Sequence, residues 1–83
     1  MEIRLRYFAA LRETIGHEQE RLVLPDGADI TAVRAALVAR YPAISSILPR
    51  CVAACNRDFV ADDTRLHADD ELVFIPPMAG GCH

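Results

Sequence analysis

Ile30-Thr31-Ala32-Val33-Arg34-Ala35-Ala36-Leu37-Val38-Ala39-Arg40-Tyr41-Pro42 is the stretch on which the architecture depends. Ile30, Val33, Leu37 and Tyr41 recur at spacings of three, four and four, which places them on one helical face. Asp29 and Thr31 are both candidate N-caps, since either side-chain oxygen can accept a free N–H of the first turn. Pro42 stops the helix, having no N–H to continue the ladder. One long helix covers one face of a sheet, so the segments around it decide what the second face does.

Before the helix, residues 2–8 alternate as a strand. Ile3, Leu5 and Tyr7 point one way, and Arg4, Arg6 and Phe8 the other, with Phe8 interrupting an otherwise polar face. Residues 9–15 are rich in helix formers, and Gly16 stands where a C-terminal cap belongs. Residues 20–24 read as a second strand with Leu22 and Leu24 on one face, followed by a Pro25-Asp26-Gly27 turn. After the helix, residues 45–48 suggest one further turn ended by Pro49. Residues 50–55 read as a third strand, with turn chemistry at Asn56-Arg57-Asp58 and a short strand at Phe59-Val60. Leu66 is expected as a core anchor, and Ala68-Asp69-Asp70 as a tight turn into a last strand at 71–75. Four consecutive apolar residues there, Leu72 to Ile75, predict burial on both faces. Pro76-Pro77 ends pairing. The order is α+β, a mixed sheet over one long helix: a single domain at 1–76 with a flexible tail at 77–83.

The chain has 83 residues, of which 52% are hydrophobic and 25% charged, a composition that excludes intrinsic disorder. The net charge is −3, and all nine basic residues are Arg. An acidic chain lacks the counterion-release drive towards nucleic acid or anionic membrane, and a chain without Lys has no Schiff-base or P-loop lysine. Residues 1–7 have no signal-peptide pattern, and no apolar run approaches a membrane span. Cys51, Cys55 and Cys82 are an odd set, which suits a reducing, cytoplasmic setting.

No catalytic or metal motif stands out. Ser-His-Asp spacing, paired CxxC and HExxH are all missing from the sequence. His17 and His67 read as solvent-exposed turn residues. The acidic pairs at Asp62-Asp63 and Asp69-Asp70-Glu71 have ordinary turn roles and lack a calcium-loop pattern. On one strand Cys51 and Cys55 stand roughly 13 Å apart, beyond disulfide reach, and read as small core or half-buried residues. The exposed apolar residues say more. Phe8 faces away from its strand's apolar side, and the second face of the sheet needs either a partner protein or the short helix at 9–15 to cover it. Gly80-Gly81 follows the Pro76-Pro77 exit, and an extended chain over 76–81 reaches roughly 20 Å. A glycine pair can enter a narrow channel and adopt any φ, and its carboxylate is the least hindered acyl group a chain end offers.

Together Arg6-Tyr7-Phe8-Ala9-Ala10-Leu11-Arg12-Glu13, Leu24-Pro25-Asp26-Gly27, Tyr41-Pro42, Asn56, Asp70-Glu71-Leu72 and Ile75-Pro76-Pro77-Met78-Ala79-Gly80-Gly81 resemble the ubiquitin-like sulfur carriers of the MoaD/ThiS family, nearest its molybdopterin synthase small-subunit branch. The resemblance covers residues 1–81. It implies a ubiquitin-like β-grasp fold and a sulfur donor with no catalysis of its own. It binds no cofactor and no metal. An activating enzyme resembling ubiquitin E1 uses ATP to adenylate the Gly81 carboxylate, and sulfur then displaces AMP to leave a thiocarboxylate. The resemblance also implies partner contacts through Phe8, Arg12, Phe59 and Ile75, and through Pro76, Pro77, Met78, Ala79 and Gly80 along the tail. The partners are the adenylating enzyme and a large subunit, or an analogous sulfur-accepting enzyme, that passes the sulfur to a molybdopterin precursor.

The sequence departs from the family pattern twice. The turn before the last strand usually reads Asp-Gly-Asp-Glu and here is Ala68-Asp69-Asp70-Glu71; Asp tolerates the left-handed conformation that Gly serves. Gly81 is followed by Cys82-His83, and a peptide-bonded Gly81 has no carboxylate to adenylate. Related carriers with short extensions are trimmed by a metalloprotease, which implies a Gly81–Cys82 cleavage site. Other acceptors also stay open, of the siderophore, cysteine, homocysteine or thiamine type, as does an interaction module that never carries sulfur.

Overall fold

A computed structural model describes residues 1–76. The expected tail at 77–83 lies outside the described residues. Five strands and two helices run in the order β1 (Glu2–Tyr7), α1 (Ala9–Ile15), β2 (Gln19–Val23), α2 (Ile30–Arg40), β3 (Val52–Cys55), β4 (Asp58–Val60) and β5 (Glu71–Ile75). They form one sheet ordered β2-β1-β5-β3-β4, in which β1 and β5 are parallel and the other pairs antiparallel. The mixed sheet wraps α2, the β-grasp arrangement.

The alternation in β1 sorts its residues as expected: Ile3, Leu5 and Tyr7 are buried, and Glu2, Arg4 and Arg6 are exposed. Ile30, Val33 and Leu37 of α2 bury against Leu72 and Phe74 of β5 and against the inner residues of β1 in one core. Of the two candidate caps, Asp29 does the work; its carboxylate accepts the Ala32 N–H at 3.0 Å. Leu66 is buried, and its N–H donates to the Ala28 carbonyl at 2.9 Å, pinning the long loop before β5 beside the start of α2. The β3–β4 hairpin turns through Asn56 and Arg57, whose φ values of 50° and 75° are the doubly left-handed pair such tight hairpins need. Asp69, standing where the family pattern has Gly, takes φ 67°.

Several expectations change. Phe8 is not the last strand residue; it caps the start of α1, and Ala9 at φ 49° turns the chain so that Leu11 enters the core. Helix α1 therefore packs on the same side of the sheet as α2, beside the turn at 42–44, and leaves the second face open. The single turn expected at 45–48 is replaced by two 3₁₀ turns, Pro42–Ile44 and Leu48–Arg50. Each starts with a proline in its first two positions, where the missing N–H costs nothing, so Pro49 sits inside a turn instead of ending one. That second turn delays β3 to Val52. Cys51 thus precedes the strand and is buried, whereas Cys55 is half-buried at its end. Strand β5 is buried on one face only: Leu72 and Phe74 are covered, Val73 is half-buried and Ile75 is exposed. Its central place in the sheet, with nothing among the described residues stacked on the outer side, accounts for an apolar run without two-sided burial.

Candidate functional site

The open face is continuous across all five strands. The register aligns Gln19 with Arg6, Arg6 with Val73, Val73 with Ala54, and Ala54 with Phe59. One step along, Val52 pairs with Ile75, and Phe8 follows the Tyr7–Phe74 pair that brings it abreast of Ile75. Phe8, Val52, Ala54, Phe59, Val73 and Ile75 therefore form one apolar area at the β5 exit. Phe59 is 73% exposed, Val52 47%, Phe8 43% and Ile75 38%, a cluster of large apolar side chains in water that a lone soluble chain seldom shows. The Arg6 guanidinium borders it, 5.7 Å from the Phe8 ring centroid.

Phe8, Phe59 and Ile75, singled out from the sequence, are brought together here. Val52, Ala54 and Val73 were missed. Alternation within 52–54 hints at outward positions, but only the pairing with β5 places them in this group. Arg12 sits elsewhere, exposed on α1 one turn beyond Phe8, whose carbonyl accepts the Arg12 N–H at 3.4 Å. Pro76 follows Ile75 and is half-buried. Pro77, Met78, Ala79, Gly80, Gly81 and Cys82 lie outside the described residues.

The remaining polar groups serve the fold. The Tyr7 hydroxyl donates to Glu20, and the Tyr41 hydroxyl donates to the same carboxylate at 3.0 Å. Arg40 completes that tie between β2 and the end of α2 at 3.3 Å. Burial, then the Glu20 bond, drives the Tyr7 phenol well above its ordinary pKa, so it stays a donor. Asp70 accepts the His67 N–H at 2.7 Å and an Asn56 side-chain N–H at 3.0 Å, closing the turn that feeds β5. Burial raises the Asp70 carboxyl, and these bonds together with the Cys55 thiol outweigh it, so its pKa falls below the usual value. Burial, and then Asp70, pushes the Cys55 thiol up to about 11. A thiol held protonated at neutral pH is a poor nucleophile. Among the described residues no group of three His, Cys, Asp or Glu side chains could hold a metal, and no helix is long and apolar enough to cross a membrane.

Comparison with known proteins gives the family. The sequence matches the ThiS family over residues 5–81. It is 37% identical to the molybdopterin synthase sulfur carrier subunit of Chlamydomonas reinhardtii, over 98% of this chain and 100% of that protein. Among solved structures it is similar to the small archaeal modifier protein 1 of Haloferax volcanii, with a TM-score of 0.85, 26% identity and coverage of 98% and 100% of the two chains. A chain from the complex of subunits 1 and 2 of the molybdopterin-converting factor of Helicobacter pylori shares the fold, with a TM-score of 0.70, 23% identity and coverage of 98% and 100%.

Proposed function

The chain belongs to the ThiS family, and from that premise we propose that it is a sulfur carrier of the molybdopterin synthase small-subunit type. The observation that carries the reading is the span of the family match. It runs through the β-grasp domain and on to Gly81, the residue whose carboxylate the chemistry needs. Hydrolysis of the Gly81–Cys82 amide frees that carboxylate. Its oxygen attacks the α-phosphorus of ATP on an E1-like enzyme, pyrophosphate leaves, and an acyl-adenylate forms. Sulfide adds to the acyl carbon, AMP departs, and Gly81 holds a thiocarboxylate. The carrier then docks its open face on the large subunit, which the naming of the relatives as subunits supports, and delivers the sulfur there. In the sequence a proline pair, which fixes φ, precedes a glycine pair, which has no Cβ, a composition suited to entering a narrow active site. The setting is cytoplasmic.

Cys82-His83 after Gly81 favours one second reading, a carrier trimmed by a metalloprotease for a different acceptor such as a siderophore or amino-acid precursor. The test compares the full chain with one stopped at Gly81, each incubated with ATP, a sulfide source and the activating enzyme. Intact mass should show one oxygen-to-sulfur exchange in the shorter chain alone. Exchange in the full chain with Cys82 and His83 attached sinks the trimming step. No exchange in either sinks the carrier and leaves an interaction module.

A further inference from the structure

Beside the apolar area the same sheet face carries three arginines. Arg4 on β1 stands directly opposite Arg21 on β2, and Arg6 follows two residues along β1. All three are exposed. Like charges placed directly across a strand pair are destabilising, and this pair lies on an open surface where almost any polar residue would serve. Two carboxylates compensate in part: Glu2 meets Arg21 at 3.0 Å and Glu71 meets Arg6 at 3.9 Å. Exposed pairs of this kind hold their partners weakly and release them readily. Among the described residues Arg4 has no carboxylate within 4.0 Å; it donates to the Asp69 carbonyl at 3.2 Å. A positive strip thus stands on a chain whose net charge is −3.

The strip is also concave. Arg4, Arg6, Gln19 and Arg21, with Glu20 and Glu71, line a groove of about 320 Å³; the Glu20 carboxylate is held by Tyr7, Tyr41 and Arg40. The groove joins the apolar area without a break, because Arg6 is the register partner of Val73. Arg4 pairs with Glu71 at the start of β5 and Arg6 with Val73, so the strip runs from about 13 Å to about 7 Å from Ile75, the last strand residue. Its side chains lie along the face, not at its end. They can fix how the face is oriented as it docks.

We propose that the Arg4–Arg6–Arg21 groove is the electrostatic half of the docking surface, taking a row of carboxylates on the large subunit while the Phe59 side takes its apolar contact. This rests on the reading of the open face as the large-subunit dock. The large subunit is the favoured occupant because the strip is continuous, through the Arg6–Val73 register, with the face already read as its dock. Steering by complementary charge acts mainly on the association rate and weakens with salt.

The test measures association of the full chain with the large subunit from the same organism, at about 0.02 M and about 0.5 M salt. Replacing all three arginines, Arg4→Gln, Arg6→Gln and Arg21→Gln, should slow association at least about tenfold at low salt, with the difference closing at high salt. The matching triple change to Lys should associate like the wild type. Arg4→Gln alone, which disturbs no ion pair, should show part of the slowing and keeps the test valid if the triple variant misfolds. Phe59→Asp is the separate control for the apolar dock and should weaken binding at both salts. Unchanged association of the Gln variants beside a defective Phe59→Asp overturns the strip alone. Unchanged binding by Phe59→Asp as well overturns the docking face. Slowing seen with the adenylating enzyme but not with the large subunit overturns the choice of occupant.

Discussion

The guanidinium of Arg34 lies over the ring of Phe74, its central carbon 5.0 Å from the ring centroid. The same group donates to the Leu48 carbonyl at 2.6 Å, the Cys51 carbonyl at 2.9 Å and the Asp62 carboxylate at 3.1 Å. One side chain of α2 therefore holds the turn that delivers β3, the strand bearing Val52 and Ala54. Arg34→Ala removes the donor from two carbonyls beside the core and should lower unfolding free energy by about 3 kcal/mol. Arg34→Lys should recover little of that, because an ammonium lacks the planar fork that reaches both carbonyls. Urea titration of the three proteins checks it; a loss below about 1 kcal/mol for Arg34→Ala would show the tie to be incidental.

Asp70 links pH to the other end of β3, beside Cys55. Its folded pKa is depressed, so its contribution is fully present above the unfolded value of about 4 and is lost as pH falls through the folded value. Asp70→Ala should cost about 1–2 kcal/mol at pH 7 through the lost bonds to the His67 N–H and Asn56. The gap between wild type and variant should shrink only as the medium becomes more acid than that unfolded value. Thermal melts from pH 7 to pH 2 read it directly. A gap that stays constant over the whole range contradicts the assignment.

Much of this was legible in the residues. Helix α1 has the expected bounds, the α2 expectation runs one residue past its end, and Gly16 and Asp29 cap as read, because these signals are local. The apolar run at 72–75 misled, because a strand's sequence does not say whether anything stacks on its outer side. Phe8 stood out as an apolar residue on a polar strand face, and Phe59 and Ile75 came from the family resemblance, whereas Val52 and Val73 became neighbours only through the β3–β5 register. Register is a long-range property, fixed by loops whose 3₁₀ turns at 42–44 and 48–50 carry weak local signals. Arg4 and Arg21 likewise meet only when β2 folds back on β1.

Phe59 is the most exposed aromatic of the open face, and its removal leaves the core untouched. Phe59→Asp should therefore melt near the wild-type temperature and weaken binding of the large subunit or the adenylating enzyme by about 2–4 kcal/mol, the range of hot-spot residues. Phe8→Asp should act in the same direction. Calorimetric binding alongside thermal melts separates the two properties. Variants that unfold would place these residues in the core and remove the docking patch.

Gly81 tests the reactive end without disturbing the domain. In a chain stopped at that residue, Gly81→Ala puts a Cβ beside the carboxylate that must be adenylated and then attacked by sulfur. It also withdraws the positive φ region that only Gly enters freely. Among the described residues the core ends with Phe74 of β5, and the change adds a single methyl at the chain end, so thermal stability should be unchanged. Thiocarboxylate formation with ATP, sulfide and the activating enzyme should fall at least about tenfold, which is a barrier increase of about 1.4 kcal/mol. Intact mass against time measures the rate. Equal sulfur loading by the two chains would make the glycine incidental and move the requirement for a narrow tail elsewhere along it.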